Sequence, residues 1–147
     1  MNTSANCLPH VLIVDDDPVV CKLHKRVLMK SALGANIQVF ANGKLALDYI
    51  REHSDPGHHH LVLLDINMPI MNGWEMLDAL QEIDYQAQVH VIMVTSSLDN
   101  DDQRLSLEYK QVAGYLIKPL RKDSFDPILH KPEIKAFTEA INAYKKD

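Results

Sequence analysis

Short runs of apolar residues, each closed by a polar one, recur along the chain and are separated by stretches with helical periodicity. Leu61, Val62, Leu63 and Leu64 stand in a row and stop at Asp65. A run this short reads as a strand buried on both faces rather than as a helix. His10, Val11, Leu12, Ile13 and Val14 repeat the design and close on Asp15, Asp16 and Asp17. Residues 37–40, 89–94 and 114–117 supply three more runs, the second closing on Thr95, Ser96 and Ser97 and the third on Lys118 and Pro119.

Between the runs the apolar spacing lengthens. Asp17 and Pro18 pair a good N-cap with a proline at the first helical position; Val20, Leu23 and Val27 mark the buried stripe of a helix that ends at Gly34. Asn42 caps a helix to about Arg51, with Ala46, Tyr49 and Ile50 inward. Pro69 and Gly73 turn the chain into a helix whose inward positions are Leu77, Leu80 and Ile83. The acidic stretch 99–102 caps a helix to about Tyr109, whose few apolar positions predict weak anchorage. After Arg121, Pro127 and Pro132 interrupt the pattern and predict a short helical piece, then a helix from about Pro132 to Tyr144. Five strand-helix alternations predict an α/β fold: a doubly wound, five-stranded parallel sheet with helices on both faces.

The 147 residues suit one domain. We expect an N-terminal tail over 1–8 and the domain over 9–147, with 121–147 as an atypical helical segment. A net charge of −5 argues against a general nucleic-acid or anionic membrane surface. No stretch approaches the roughly 20 apolar residues of a membrane span, and the first residues lack the basic start and apolar run of a signal peptide. Cys7 and Cys21 have no framework spacing, so a cytoplasmic protein is expected.

The strand ends carry the chemistry. In a doubly wound sheet the carboxyl ends of the strands lie along one edge and can share a cleft. Here that edge would collect Asp15, Asp16, Asp65, Thr95 and Lys118, while Asp17 is accounted for as a helix cap. Two carboxylates about 4 Å apart repel by about 4 kcal/mol at an effective dielectric near 20, so a cluster of three raises at least one pKa or recruits a cation. With carboxylates and carbonyls as the donors, a hard divalent ion such as Mg²⁺, or Mn²⁺ in its place, fits better than zinc. An aspartate beside such an ion, with an amine and a hydroxyl in reach, is equipped for phosphoryl transfer to its own carboxylate. Asp65 would be the nucleophile. Asp15, Asp16 and a backbone carbonyl near Asn67 would hold the metal with it; Lys118 and Thr95 would each take a phosphoryl oxygen.

These motifs, Val14-Asp15-Asp16, Leu64-Asp65-Ile-Asn-Met-Pro69 with Gly73 beyond, Val94-Thr95-Ser96 and Tyr115-Leu-Ile-Lys118-Pro119, stand in the order and spacing of a known family. Over roughly residues 9–120 the chain resembles the receiver domain of bacterial two-component response regulators. The resemblance implies a flavodoxin-like receiver fold with strand order 2-1-3-4-5 and Asp65 phosphorylated from the phosphohistidine of a sensor histidine kinase or a histidine phosphotransfer protein. It implies a cis peptide between Lys118 and Pro119, and Thr95 and Tyr115 as switch residues that couple the site to the fourth-helix face. Asn67 and Ser97 match positions that tune how long the phosphoryl group survives. The tail beyond Arg121 departs from the family pattern, and no DNA-binding helix-turn-helix is legible before Asp147.

The expected function is therefore a stand-alone phosphoacceptor switch that changes its binding to a downstream protein, not a turnover enzyme. A phosphorelay intermediate is the alternative within the family. A phosphohydrolase with an aspartyl-phosphate intermediate would want a second acid two residues after the nucleophile, where Asn67 stands and cannot transfer a proton. The run of His58, His59 and His60, with His53, is not expected to share a metal, because consecutive strand residues point to alternate faces. Trp74 and Met76 read as helix packing, and Cys21 as structural.

Overall fold

Parallel hydrogen bonding joins five strands in the order β2-β1-β3-β4-β5. In this computed structural model residues 9–84 and 87–145 are described; the expected tail over 1–8, with Cys7, lies outside them. The strands are β1 (His10–Val14), β2 (Ile37–Phe40), β3 (His59–Leu64), β4 (Gln88–Thr95) and β5 (Val112–Ile117). The helices that alternate with them are α1 (Pro18–Met29), α2 (Gly43–Glu52), α3 (Gly73–Glu82), α4 (Asn100–Ser106) and α5 (Pro132–Lys145).

Three of the five apolar runs are the inner strands β1, β3 and β4. Val11 to Val14, Leu61 to Leu64 and Val91 to Val94 are all buried, because parallel strands covered on both faces have no wet side. Alternation then divides them. Val11, Ile13, Leu61, Leu63, Ile92 and Val94 pack with α1 and α5 residues; Leu12, Val14, Val62, Leu64, Val91 and Met93 pack with those of α2 and α3. Among the described residues no helix is long and apolar enough to cross a membrane.

Helix starts follow the predicted caps. Asp17 accepts from Val19 and Val20 N–H, and Asn42 accepts from Leu45 N–H. At α3, where the sequence pattern named no cap, Asn72 and Glu75 form a reciprocal capping box, satisfying donors that a helix start leaves unpaired.

The helix ends and one helix face differ from expectation. α1 stops at Met29, not Gly34, because Ser31 turns back and donates both its N–H and its hydroxyl to Leu28 O. Its buried face is Cys21, His24 and Leu28, one residue round from the expected stripe, and Leu23 is 43% exposed. The rotation has a polar cause: Cys21 donates its thiol to Asp15 O at 3.3 Å, and His24 accepts from Leu120 N–H at 3.3 Å. Burial, then the Asp15 carboxylate, push the Cys21 thiol up to about 11, so it stays a protonated donor. α4 ends at Ser106 rather than near Tyr109, and Tyr109 leaves the axis to bond Asp78 at 2.8 Å.

The segment 121–131 is a series of turns without a helical piece, and α5 then begins at the expected Pro132. Leu120, just before this stretch, and Phe125 and Ile128 within it share a core with Ile134, Phe137 and Ile141 of α5. These residues join the core on the α1 face of the sheet.

Candidate functional site

The last rung of each ladder sets the site residues in place. Asp15 N–H donates to Phe40 O at 3.0 Å, Asp65 N–H to Val14 O at 3.0 Å, and Lys118 N–H to Thr95 O at 2.9 Å. Each side chain therefore leaves the sheet where its strand pairing ends, at one carboxyl edge.

Lys118 Nζ lies 2.6 Å from Asp15 Oδ2 and 3.2 Å from Asp65 Oδ2, all three side chains being largely buried. The other carboxylate oxygens are held by backbone amides. Asp17 N–H donates to Asp15 Oδ1 at 3.0 Å, and Ile66 N–H to Asp65 Oδ1 at 2.9 Å. Asp16 is exposed beside them, and donor oxygens of Asp15, Asp16 and Asp65 lie within 4.8 Å of one another.

Burial pushes the Asp65 carboxyl above the usual carboxylate range; Lys118 pulls it down, Asp15 pushes it up, and the net is upward. Burial alone would lower the Lys118 ammonium, but its hydrogen bond to Asp15 and the Asp65 charge outweigh it and raise the pKa. One ammonium facing two buried carboxylates leaves the pocket with an excess of negative charge. A hard cation with oxygen ligands supplies what this donor set lacks.

Thr95 is fully buried at the end of β4, and its hydroxyl accepts from Ser97 N–H at 3.3 Å. Ser97 in turn accepts the Tyr115 hydroxyl on its carbonyl at 3.1 Å. Its own hydroxyl donates to Asp102 of α4 at 2.8 Å and accepts from Asp99 N–H at 3.2 Å. Thr95, Tyr115 and the start of α4 are thus tied through one serine.

Asn67 is exposed in the loop from Asp65 to α3. That loop turns tightly at Ile70, where Met71 N–H donates to Pro69 O at 2.7 Å and φ is 68°. A β-branched residue in this left-handed region is strained. Gly73 then donates its N–H to Ile66 O at 2.8 Å, bringing the start of α3 against the backbone of Asp65. On the opposite side the Lys118–Pro119 peptide is cis, and His24 holds the following Leu120 amide.

Sequence reasoning found the charged residues at the strand ends and missed what braces them. His24 supports Leu120 from α1 and could have been found as a polar-capable residue at core spacing, while Cys21, read as structural, donates to Asp15 O. The strain at Ile70 has no signal in hydrophobic pattern.

Comparison with known proteins agrees with the motifs. The sequence profile of the response regulator receiver domain matches residues 11–130. The probable methanogenesis regulatory protein FilR2 of Methanothrix harundinacea is 31% identical over 91% of this chain and 81% of its own. The transcriptional regulatory protein MalR of Bacillus subtilis is 34% identical over 94% of this chain, which spans only 57% of MalR. A two-component response regulator from Cytophaga hutchinsonii superposes with a TM-score of 0.73 at 28% identity, over 85% of this chain and 96% of that one.

Proposed function

Since the chain belongs to the response regulator receiver domain family of two-component signalling, we propose that Asp65 is its phosphoacceptor and that phosphorylation switches its binding to a downstream protein. The observation that carries this reading is the pairing of Lys118 with both Asp15 and Asp65 at the carboxyl edge. The phosphoryl group would come from the phosphohistidine of a sensor kinase or a histidine phosphotransfer protein. The carboxylate oxygen of Asp65 forms a bond to phosphorus as the phosphorus–nitrogen bond breaks, and the departing imidazole takes up a proton.

Receiver domains bind a divalent ion at their acidic pocket, and the all-oxygen donor set here fits one. Mg²⁺, or Mn²⁺ in its place, would be held by Asp15, Asp16, Asp65 and the Asn67 carbonyl, and would neutralise charge on the phosphoryl oxygens. The chain's own residues do the rest. Lys118 shifts from the two carboxylates to a phosphoryl oxygen, and the Thr95 hydroxyl donates to another, giving up the Ser97 amide. Because Ser97 also holds Tyr115 and Asp102, that movement reaches α4 and β5. The chain acts as a switch and not as a turnover enzyme.

Incubation with Mg²⁺ and acetyl phosphate, read by intact mass, should add one phosphoryl group per chain. Asp65→Asn should abolish the addition; a label that survives this change refutes the assignment.

A further inference from the structure

Imidazoles crowd the edge of the sheet opposite the carboxylates. His10 begins β1, His60 is the second residue of β3, His53 caps the end of α2, and His58 stands in the turn between α2 and β3. The His10 ring centre lies 5.4 Å from that of His53, 6.1 Å from His58 and 5.3 Å from His60. His53 and His58 are 5.9 Å apart, and His58 and His60, on the same face of the chain, 6.1 Å apart. Imidazoles bound to one ion at about 2.0–2.1 Å place their ring centres about 5 Å apart, so these pairs stand close to that spacing, those of His58 somewhat wider. His59 points to the other face, towards His90; it is the alternate member of the run that the strand geometry removes.

Hydrogen bonding sets the tautomers. His60 Nε2–H donates to His53 O at 2.7 Å, and His53 Nδ1–H donates to Tyr49 O at 2.9 Å. His58 Nδ1–H faces Asp55 O at 3.4 Å. A carbonyl only accepts, so in each neutral ring the other nitrogen carries the lone pair. Carbonyl-anchored imidazoles with a free second nitrogen are the arrangement of metal ligands. The free Nδ1 of His60 is wholly buried and has no partner, and such an atom calls for an explanation in an otherwise satisfied interior.

We propose that His60 Nδ1 and the Nε2 atoms of His53 and His58, with His10 closing the cage from β1, bind one borderline transition ion such as Zn²⁺ or Cu²⁺. Neutral nitrogen donors select this class over Mg²⁺ and Mn²⁺, so the two edges of the sheet have opposite metal preferences. Among the described residues the carboxylates alone already bring their donor atoms within 4.8 Å. Binding therefore draws the half-exposed rings of His53 and His58 inward onto His60.

The test titrates the full chain with Zn²⁺ by calorimetry and native mass spectrometry, with Mg²⁺ in excess, and records Cu²⁺ electron paramagnetic resonance. One ion per chain and nitrogen couplings from several imidazoles are expected. His58→Ala and His60→Gln should each weaken binding at least tenfold, while Asp65→Asn leaves it unchanged. Equal binding by both histidine variants, loss of binding in Asp65→Asn, or absence of nitrogen couplings overturns the site. Should His60→Gln fail to fold, His58→Ala and the Cu²⁺ spectrum decide.

Discussion

A β-carbon on Gly73 would stand 2.5 Å from the carbonyl oxygen of Asp65 and 3.0 Å from Ile66 Cα. Both obstacles are backbone, which cannot swing aside as a side chain would. Gly73→Ala should therefore push α3 away from the site and cost about 1–3 kcal/mol, as overpacking does. Denaturant unfolding should show the loss, and phosphorylation by acetyl phosphate should slow with it. An alanine variant with unchanged stability and rate would contradict this reading.

Lys118 is the cation that Asp15 and Asp65 share. Lys118→Met leaves two buried carboxylates uncompensated, which destabilises the fold. Mg²⁺ should then raise the melting temperature more than it does in the parent chain, because the ion no longer competes with an ammonium. Phosphoryl uptake should fall by roughly a hundredfold, the typical effect of removing one charge-stabilising donor. Thermal melts with and without Mg²⁺, together with intact-mass time courses, measure the two effects separately.

His24 is buried, and burial pushes its pKa down from 6.5, Asp15 only partly opposing. Its folded pKa lies below the unfolded one. No stability is lost well above pH 6.5, and a cost grows as the pH falls through 6.5, where the unfolded chain binds a proton that the folded chain refuses. A protonated ring would also turn an N–H towards the Leu120 amide it now accepts from. His24→Gln keeps an acceptor and removes the titration, so stability should fall less steeply between about pH 6.5 and 5. His10 and His60, both lowered to about 4 chiefly by burial, act in the same direction, so some slope should persist in the variant.

Ile70 holds a φ of 68° while its side chain is 77% exposed. Strain of this kind costs of order 1–3 kcal/mol, and little packing offsets it. Ile70→Gly should stabilise the chain by about 1 kcal/mol, once the extra entropy lost by glycine on folding is subtracted. Equilibrium unfolding in urea provides the comparison, and a destabilised glycine variant would show that Ile70 makes contacts that matter more than its backbone.

The parts of the molecule legible in its sequence are those governed by local contrast. Runs such as Leu61 to Leu64 end abruptly in charge, and the same contrast that marks a buried strand marks Asp65 as its terminus. The cap residues Asp17 and Asn42 are equally local, since each bonds amides within three residues. What escaped prediction depends on partners distant in the chain. The face of α1 is set by His24 meeting Leu120, 96 residues away, and hydrophobic periodicity gives a histidine no weight. Leu120, Phe125 and Ile128 anchor a stretch of turns without any period, so their burial follows from the shape of the core they fill. The imidazole cluster joins β1, α2 and β3, and only the fold reveals that His58 and His60 share a face with His10.

The backbone bonds that aim Asp65 and Lys118 are also the outermost links holding β3 to β1 and β5 to β4. Cohesion of the sheet margin and readiness of the pocket are consequently a single variable. Whatever grips the side chains there hems the fabric of the protein, and whatever frays that margin blunts its chemistry.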